Sequence, residues 1–253
     1  MLAVQDLCIG YNHQDLILQD LGFRVQSGEM LTILGPNGVG KTTLLRCINR
    51  ILEPGKGSVF VEDQNVFRMS MSEIAKKLGY VAQKSEAGRM TVFDAVLLGR
   101  KPHLGWRIAD RDLRIVEDTI SRIGLTKLAL RHIDRISGGE LQKVCIARAM
   151  VQEPQILLLD EPTSSLDLKN QLEIMRIIRF VLQEHKISVV MTMHDLNMAF
   201  RYTDKFIFLK CGRLYQHGRR EEITSEVIQE VYGVPVDIVS HAGQFVIVPS
   251  SQE

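Results

Sequence analysis

Between residues 35 and 43 the chain runs Gly35-Pro36-Asn37-Gly38-Val39-Gly40-Lys41-Thr42-Thr43. Gly35, Gly40, Lys41 and Thr42 hold the fixed places of a G-x-x-x-x-G-K-[ST] phosphate loop. Such a loop joins a buried strand to a helix, and both flanks are present. Met30-Leu31-Thr32-Ile33-Leu34 is short, apolar and stops at a glycine. After the loop, Leu44, Cys47, Ile48, Ile51 and Leu52 recur at helical spacing until Pro54-Gly55. A glycine-rich turn arising by chance would lack these neighbours.

The chemistry follows from the residue types. A polyphosphate needs donors at close range and no bulky side chain in the way. Glycines let the backbone approach, so that successive N–H groups point at the phosphates. The positive end of the next helix adds to them. Lys41 is placed to reach the β- and γ-phosphates, and Thr42 to offer its hydroxyl to Mg²⁺. The run from Gly35 to Thr43 therefore implies a nucleoside triphosphate as ligand.

A chain of 253 residues holds one large domain or two modest ones. A formal net charge of +1 gives no electrostatic case for nucleic acid or an anionic bilayer. No apolar run approaches the ~20 residues that cross a membrane, and Met1-Leu2-Ala3-Val4-Gln5-Asp6 does not read as a signal peptide. Cys8, Cys47, Cys145 and Cys211 form no C-x-x-C pair, so buried free thiols are expected. These features suit the cytosol.

The order of elements predicts an α/β fold. Strand-like stretches cover Leu2–Ile9, Leu21–Val25, Ser58–Val61 and Leu78–Val81. From about Thr91 to Gln152 the signals are helical. Thr91 and Asp94 have capping-box spacing, Leu113, Val116, Ile120 and Ile123 mark one helix face that Gly124 ends, and Ser137-Gly138-Gly139-Glu140 repeats the capping-box pattern. Strands and helices then alternate: Gln155–Asp160, the stripe Ile174, Ile177, Ile178, Val181 and Leu182, then Ser188–Met193 and Lys205–Lys210. Alternation of this kind predicts a mainly parallel sheet, with the helical middle inserted as its own subdomain. A helix over Glu226–Tyr232 and two short strand-like runs complete the tail.

Ile156-Leu157-Leu158-Leu159-Asp160-Glu161 is the second informative run. An apolar strand ending in Asp puts a carboxylate at the carboxyl edge of a sheet, where ligands gather in α/β folds. Asp160 can hold Mg²⁺, and Glu161 can polarise or deprotonate an attacking water. His194 follows the apolar strand Val189–Met193, so it lies at the same kind of edge, able to donate a hydrogen bond to a phosphate oxygen.

These motifs together resemble the ATP-binding cassette (ABC) ATPases over about residues 1–220. Ser137-Gly138-Gly139-Glu140 resembles their signature motif, with Ile136 in place of Leu and Glu140 where Gln is typical. The resemblance implies a P-loop NTPase (RecA-like) core, an N-terminal antiparallel β-subdomain and an α-helical subdomain inserted at about 88–152. The ATPase domain would span 1–221, and residues 222–253 would form a short extension packed on it. It further implies that Tyr11 stacks on adenine, that Gln83 touches Mg²⁺ and water, that Ser165-Leu166-Asp167 is the loop after the catalytic Glu161, and that His194 senses the γ-phosphate. Glu161, His194, Lys41 and Gln83 would be catalytic; Thr42, Gln83 and Asp160 would bind Mg²⁺. The signature residues would close over ATP bound to a second copy, giving a head-to-tail dimer with two ATP molecules sandwiched between the chains.

The run Leu97-Leu98-Gly99-Arg100-Lys101-Pro102-His103-Leu104-Gly105-Trp106 is similar to the ATPase subunits of type II importers for iron–siderophore, haem and cobalamin complexes. That likeness implies two membrane permease subunits touching region 84–106, a separate substrate-binding protein, no nucleic-acid partner, and a peripheral place on the cytoplasmic face of the inner membrane. The substrate itself is not written in the chain. The alternative is a soluble ABC ATPase of an iron–sulfur cluster assembly complex, against which the G-R-x-P-H run argues.

Overall fold

The computed structural model describes residues 1–10, 16–83, 88–105 and 107–250. The chain opens with β1 (Leu2–Gly10), β2 (Leu16–Val25), β3 (Met30–Leu34), α1 (Lys41–Ile48), β4 (Lys56–Val61) and β5 (Gln64–Asn65). The middle holds α2 (Met71–Lys77), β6 (Leu78–Val81), α3 (Val92–Leu97), α4 (Asp110–Arg122), α5 (Gly138–Met150), β7 (Ile156–Asp160) and α6 (Leu168–His185). The last third adds β8 (Ser188–Thr192), α7 (Leu196–Tyr202), β9 (Lys205–Lys210), β10 (Arg213–Arg219), α8 (Ser225–Tyr232), β11 (Val236–His241) and β12 (Gln244–Pro249). Contacts divide the chain into two units: residues 1–68 with those from 188 on, and residues 69–187.

In the first unit, β1 lies between β2 and β4 in an antiparallel sheet of order β2-β1-β4-β5. The second strand starts at Leu16, five residues before its strongest apolar signal, and its register with β1 runs from Leu2 opposite Val25 to Gly10 opposite Leu16. In the other sheet of this unit, β3 sits between parallel neighbours β8 and β9, and β10 pairs antiparallel with β9. All residues of β3 and β8 are buried, as the unbroken apolar runs of parallel strands require. Phe206 stacks on Phe200 at 4.6 Å between ring centroids and lies 6.4 Å from Phe208, filling the core beside β9. The β11–β12 hairpin turns at Ala242 and Gly243, both with positive φ. Asn197 of α7 holds it from outside the hairpin: its Oδ1 accepts from the Ile247 N–H at 2.7 Å and its Nδ2 donates to the Ile247 carbonyl at 3.2 Å.

Two sequence expectations need correction. The first helix stops at Ile48, so Ile51 and Leu52 do not extend its face, and Ile51 is exposed. Arg50 takes a left-handed φ of 54°, its N–H bonds the Cys47 carbonyl, and the Ile51 N–H reaches the Arg46 carbonyl at 2.8 Å. That is a Schellman ending carried by a non-glycine residue. Cys8, Cys47 and Cys145 are buried free thiols, but Cys211 is exposed, because it sits at the turn between β9 and β10.

In the second unit, β6 and β7 pair in parallel, from Leu78 opposite Ile156 to Val81 opposite Leu159. The helical segment around α3, α4 and α5 is closed by the G-R-x-P-H run. At Gly99 a side chain would collide with the Arg148 carbonyl. Arg100 is 3% exposed. Its Nε donates to Asp112 Oδ1 at 2.9 Å, and its Nη1 donates to the Val151 carbonyl at 2.6 Å and to Glu153 Oε2 at 2.8 Å. One ring nitrogen of His103 pairs with the Gln152 carbonyl at 2.8 Å. Gly99, Arg100 and His103 thus join α3 to α4 and to the end of α5.

Arg100→Ala is expected to destabilise the chain by about 3 kcal/mol or more, because it leaves the Asp112 charge buried and unpaired. Urea denaturation measures this. Burial works against the Asp112 charge, but the hydrogen bonds from Arg100 and the Ala109 N–H outweigh it and hold the carboxyl below its usual range. A lowered folded-state value means stability present at neutral pH and lost as pH falls through it. The substituted protein should therefore show a shallower loss of stability in acid than the parent.

Candidate active site

The phosphate loop begins where β3 ends. Its first residue, Gly35, has φ +146°, and a Cβ there would lie 2.5 Å from the Leu209 carbonyl oxygen, so only glycine fits. Gly40 closes the loop as the left-handed N-cap of α1 and, having no side chain, makes no side-chain cap bond. The amino end of a helix favours an anion. Asn37 and Gly38 form the exposed crown, while Val39, Thr42 and Thr43 are half-buried. Lys41 is 6% exposed. Its ammonium donates to the Gly35 carbonyl at 2.7 Å and to the Pro36 carbonyl at 3.0 Å, which folds the loop back over it.

His194 belongs to the same unit. Ile33 of β3 is in register with Thr192 of β8, so the loop and His194 leave adjacent parallel strands at the same edge. His194 is exposed there, and Asp195 beside it caps α7 by accepting from the Met198 N–H at 2.9 Å.

The second unit repeats this logic with carboxylates. Val81 pairs with Leu159, so the residues two positions beyond each, Gln83 and Glu161, emerge side by side. Gln83 Nε2 donates to Glu161 Oε2 at 2.6 Å. Glu161 has φ +50°, a left-handed conformation that costs about 1–2 kcal/mol in a residue with a Cβ. Strain of this sort concentrates where a side chain must be aimed. Asp160, the last residue of β7, is 1% exposed. Farther on, Asp167 caps α6: one carboxylate oxygen accepts from the Asn170 N–H at 2.8 Å and the other from Asn170 Nδ2 at 2.9 Å.

Ser137 caps α5 in a full capping box. Its Oγ accepts from the Glu140 N–H at 3.3 Å and donates to Glu140 Oε2 at 2.7 Å, and that same oxygen accepts from the Ser137 N–H at 2.7 Å. The backbone and side-chain bonds from Ser137 hold the Glu140 carboxyl below its usual range. Glu at this position therefore closes the box as a charge-assisted acceptor. Ser137 and Gly138 are exposed and Gly139 is buried.

The structure thus brings together Lys41 with its loop, His194 with the loop's edge, Gln83 with Glu161, and Ser137 with Glu140. Tyr11 and Trp106 lie outside the described residues, as do residues 84–87 of the proposed permease-facing region. One residue escaped sequence reasoning: Tyr232, the last residue of α8, whose hydroxyl oxygen accepts from the Gly35 N–H at 2.9 Å. The only signal for it was a tyrosine at the end of a helix just before Gly233.

Oxygen donors of the kind Mg²⁺ takes occur in each unit: the Thr42 hydroxyl in one, the Asp160 carboxylate and the Gln83 amide oxygen in the other.

A glycine loop between a buried parallel strand and a helix, with a lysine folded into it, defines a P-loop nucleoside triphosphatase. Residues 18–164 match the family model described as ABC transporter, and the chain belongs to that family, whose ATP-binding domain is an ATPase. An uncharacterized ABC transporter ATP-binding protein of Methanocaldococcus jannaschii is 51% identical over 98% of each chain. The iron(3+)-hydroxamate import ATP-binding protein of Bacillus subtilis is 36% identical, over 94% of this chain and 90% of its own length. Among solved structures, an inward-facing ABC transporter assigned to the metal-chelate type superposes with a TM-score of 0.85 at 30% identity, over 99% of this chain and 98% of that one. A dimeric ATP-binding cassette in a post-hydrolysis state, bound to ADP and Pi, gives 0.77 at 26% identity over 88% of this chain and 100% of that one. Among the described residues, no helix is long and apolar enough to cross a membrane.

Proposed function

We propose that this chain is the ATP-hydrolysing subunit of an ABC importer, driving uptake of a metal chelate, with iron–siderophore ahead of haem and cobalamin, through a separate permease. The observation that carries the import reading is its near full-length likeness to the iron(3+)-hydroxamate import subunit, supported by the metal-chelate type structure.

The residues take the following roles in that reading. Tyr11 stacks on adenine. The Gly35–Thr43 loop and Lys41 hold the phosphates, and Thr42, Gln83 and Asp160 hold Mg²⁺, which offsets phosphate charge when bound. Glu161, oriented by Gln83, takes the proton of the attacking water. His194 and Lys41 stabilise the charge that develops on the γ-phosphate. Ser137, Gly138, Gly139 and Glu140 form the surface that closes over ATP on a second copy, so two copies open and close as ATP binds and is cleaved. Region 84–106 meets the permease at the cytoplasmic face of the membrane, and a binding protein delivers substrate to that permease.

The test is purification from membranes, then reconstitution of the complex in lipid vesicles. ATP hydrolysis should rise on adding the binding protein loaded with a ferric siderophore, and labelled iron should enter the vesicles. A complex that purifies without any membrane protein would end the import reading. Stimulation by haem, cobalamin or an oxyanion in place of the siderophore would change the substrate and keep the rest.

A further inference from the structure

The residues after 222 carry none of the family's motifs, yet one of them reaches the phosphate loop. The hydroxyl oxygen of Tyr232 accepts the N–H of Gly35 at 2.9 Å. Gly35 joins β3 to the loop, and a Cβ there would lie 2.5 Å from the Leu209 carbonyl oxygen. Tyr232 is itself well fixed. Gly233 ends α8 in the left-handed conformation, its N–H bonded to the Gln229 carbonyl at 2.7 Å. One turn earlier, Glu230 accepts from Lys210 Nζ at 2.8 Å. Lys210 is the last residue of β9, next to Leu209, whose carbonyl leaves no room for a side chain at Gly35. The end of one strand therefore both lines the glycine and ties down the helix whose tyrosine bonds it.

We propose that Tyr232 is a positioning residue for triphosphate binding. By taking the Gly35 N–H, it fixes the plane of the loop's first peptide. The remaining loop N–H groups then stay aimed at the phosphates without reorganising when ATP arrives. The C-terminal segment is on this account part of the nucleotide site. Burial pushes the phenol up to about 12, against the opposing pull of the Gly35 N–H. Tyrosine is neutral at physiological pH even without that shift, so the hydroxyl presents the loop with an uncharged acceptor.

The inference rests on the loop being the ATP site. The experiment measures equilibrium binding of ATP and of inorganic pyrophosphate to the full-length chain by calorimetry. Tyr232→Phe keeps the ring and removes only the hydroxyl. It should weaken both probes by the same factor, about 3- to 10-fold, the scale of one net hydrogen bond. Its melting temperature should stay within about 4 °C of the parent's. Amide exchange of the peptide containing Gly35 should quicken. Glu226→Gln, which alters the first turn of the same helix and spares both the hydroxyl and the tie to Lys210, should bind both probes as the parent does. Parental affinity in Tyr232→Phe would overturn the proposal, and so would equal weakening in Glu226→Gln, which would assign the effect to helix packing. Failure of the parent chain to bind either probe would instead sink the assignment of the loop.

Discussion

Glu161→Gln is expected to lower steady-state ATP hydrolysis by about 100-fold or more and to leave an ATP-loaded dimer that outlasts gel filtration. The factor is the lower range for losing a general base. The reason it should be a clean loss lies in the geometry. The carboxylate is received by Gln83 Nε2 at 2.6 Å, on a backbone held at φ +50°. Glutamine has the same shape, so the strained backbone is undisturbed, but its amide cannot take a proton from water. It can still meet Gln83, with its oxygen toward the donor. Binding should therefore survive while the chemistry stops. The assay is phosphate release over many turnovers, beside the elution volume in ATP and in ADP. Near-parental turnover would remove Glu161 from the role of base.

Lys41→Ala is expected to reduce hydrolysis by about 100- to 1,000-fold, the range seen when one preorganised donor to a developing charge is lost, and to weaken ATP binding as well. Two effects combine. The triphosphate loses a cation at its β- and γ-phosphates. The Gly35 and Pro36 carbonyls, which the ammonium bridges at 2.7 and 3.0 Å, lose the partner that folds the loop. Calorimetric titration with ATP separates the binding loss from the catalytic one. Lys41→Arg should recover little, because a planar fork cannot sit at a position shaped for a point charge. Undiminished hydrolysis in Lys41→Ala would take the glycine loop out of the reaction.

Most of the scaffold was legible in the chain because its signals are local. The β3–loop–α1 unit rests on an apolar run, three glycines and a helical stripe, and each has one physical meaning. The helix caps at Thr91 and Ser137 were readable for the same reason: a hydroxyl and a carboxylate three residues apart are placed to meet at the first turn of a helix, as an N-cap at Thr91 and a full capping box at Ser137. What stayed hidden depended on conformations or partners distant in sequence. Arg50 ends α1 in a left-handed conformation that nothing in its side chain announces. The pairing of Gln83 with Glu161 needs the β6–β7 register, 78 residues apart in the chain. In the sequence the G-R-x-P-H run reads as a marker beside a partner surface; that Arg100 turns inward to Asp112, Val151 and Glu153 follows only from the packing of three helices. Tyr232 lies 197 positions from the glycine it bonds, beyond any motif's reach.

The capping box at Ser137 has a consequence for how a sandwich of two copies would come apart. The serine hydroxyl already has a receiver for its hydrogen, the Glu140 carboxylate at 2.7 Å, within its own helix. In the sandwich proposed above, docking onto a neighbour's triphosphate would exchange one satisfied bond for another, with little net gain per contact. Once the terminal phosphoryl group had gone, the hydroxyl would swing back to a partner that never left. Separation would then meet no stranded donor.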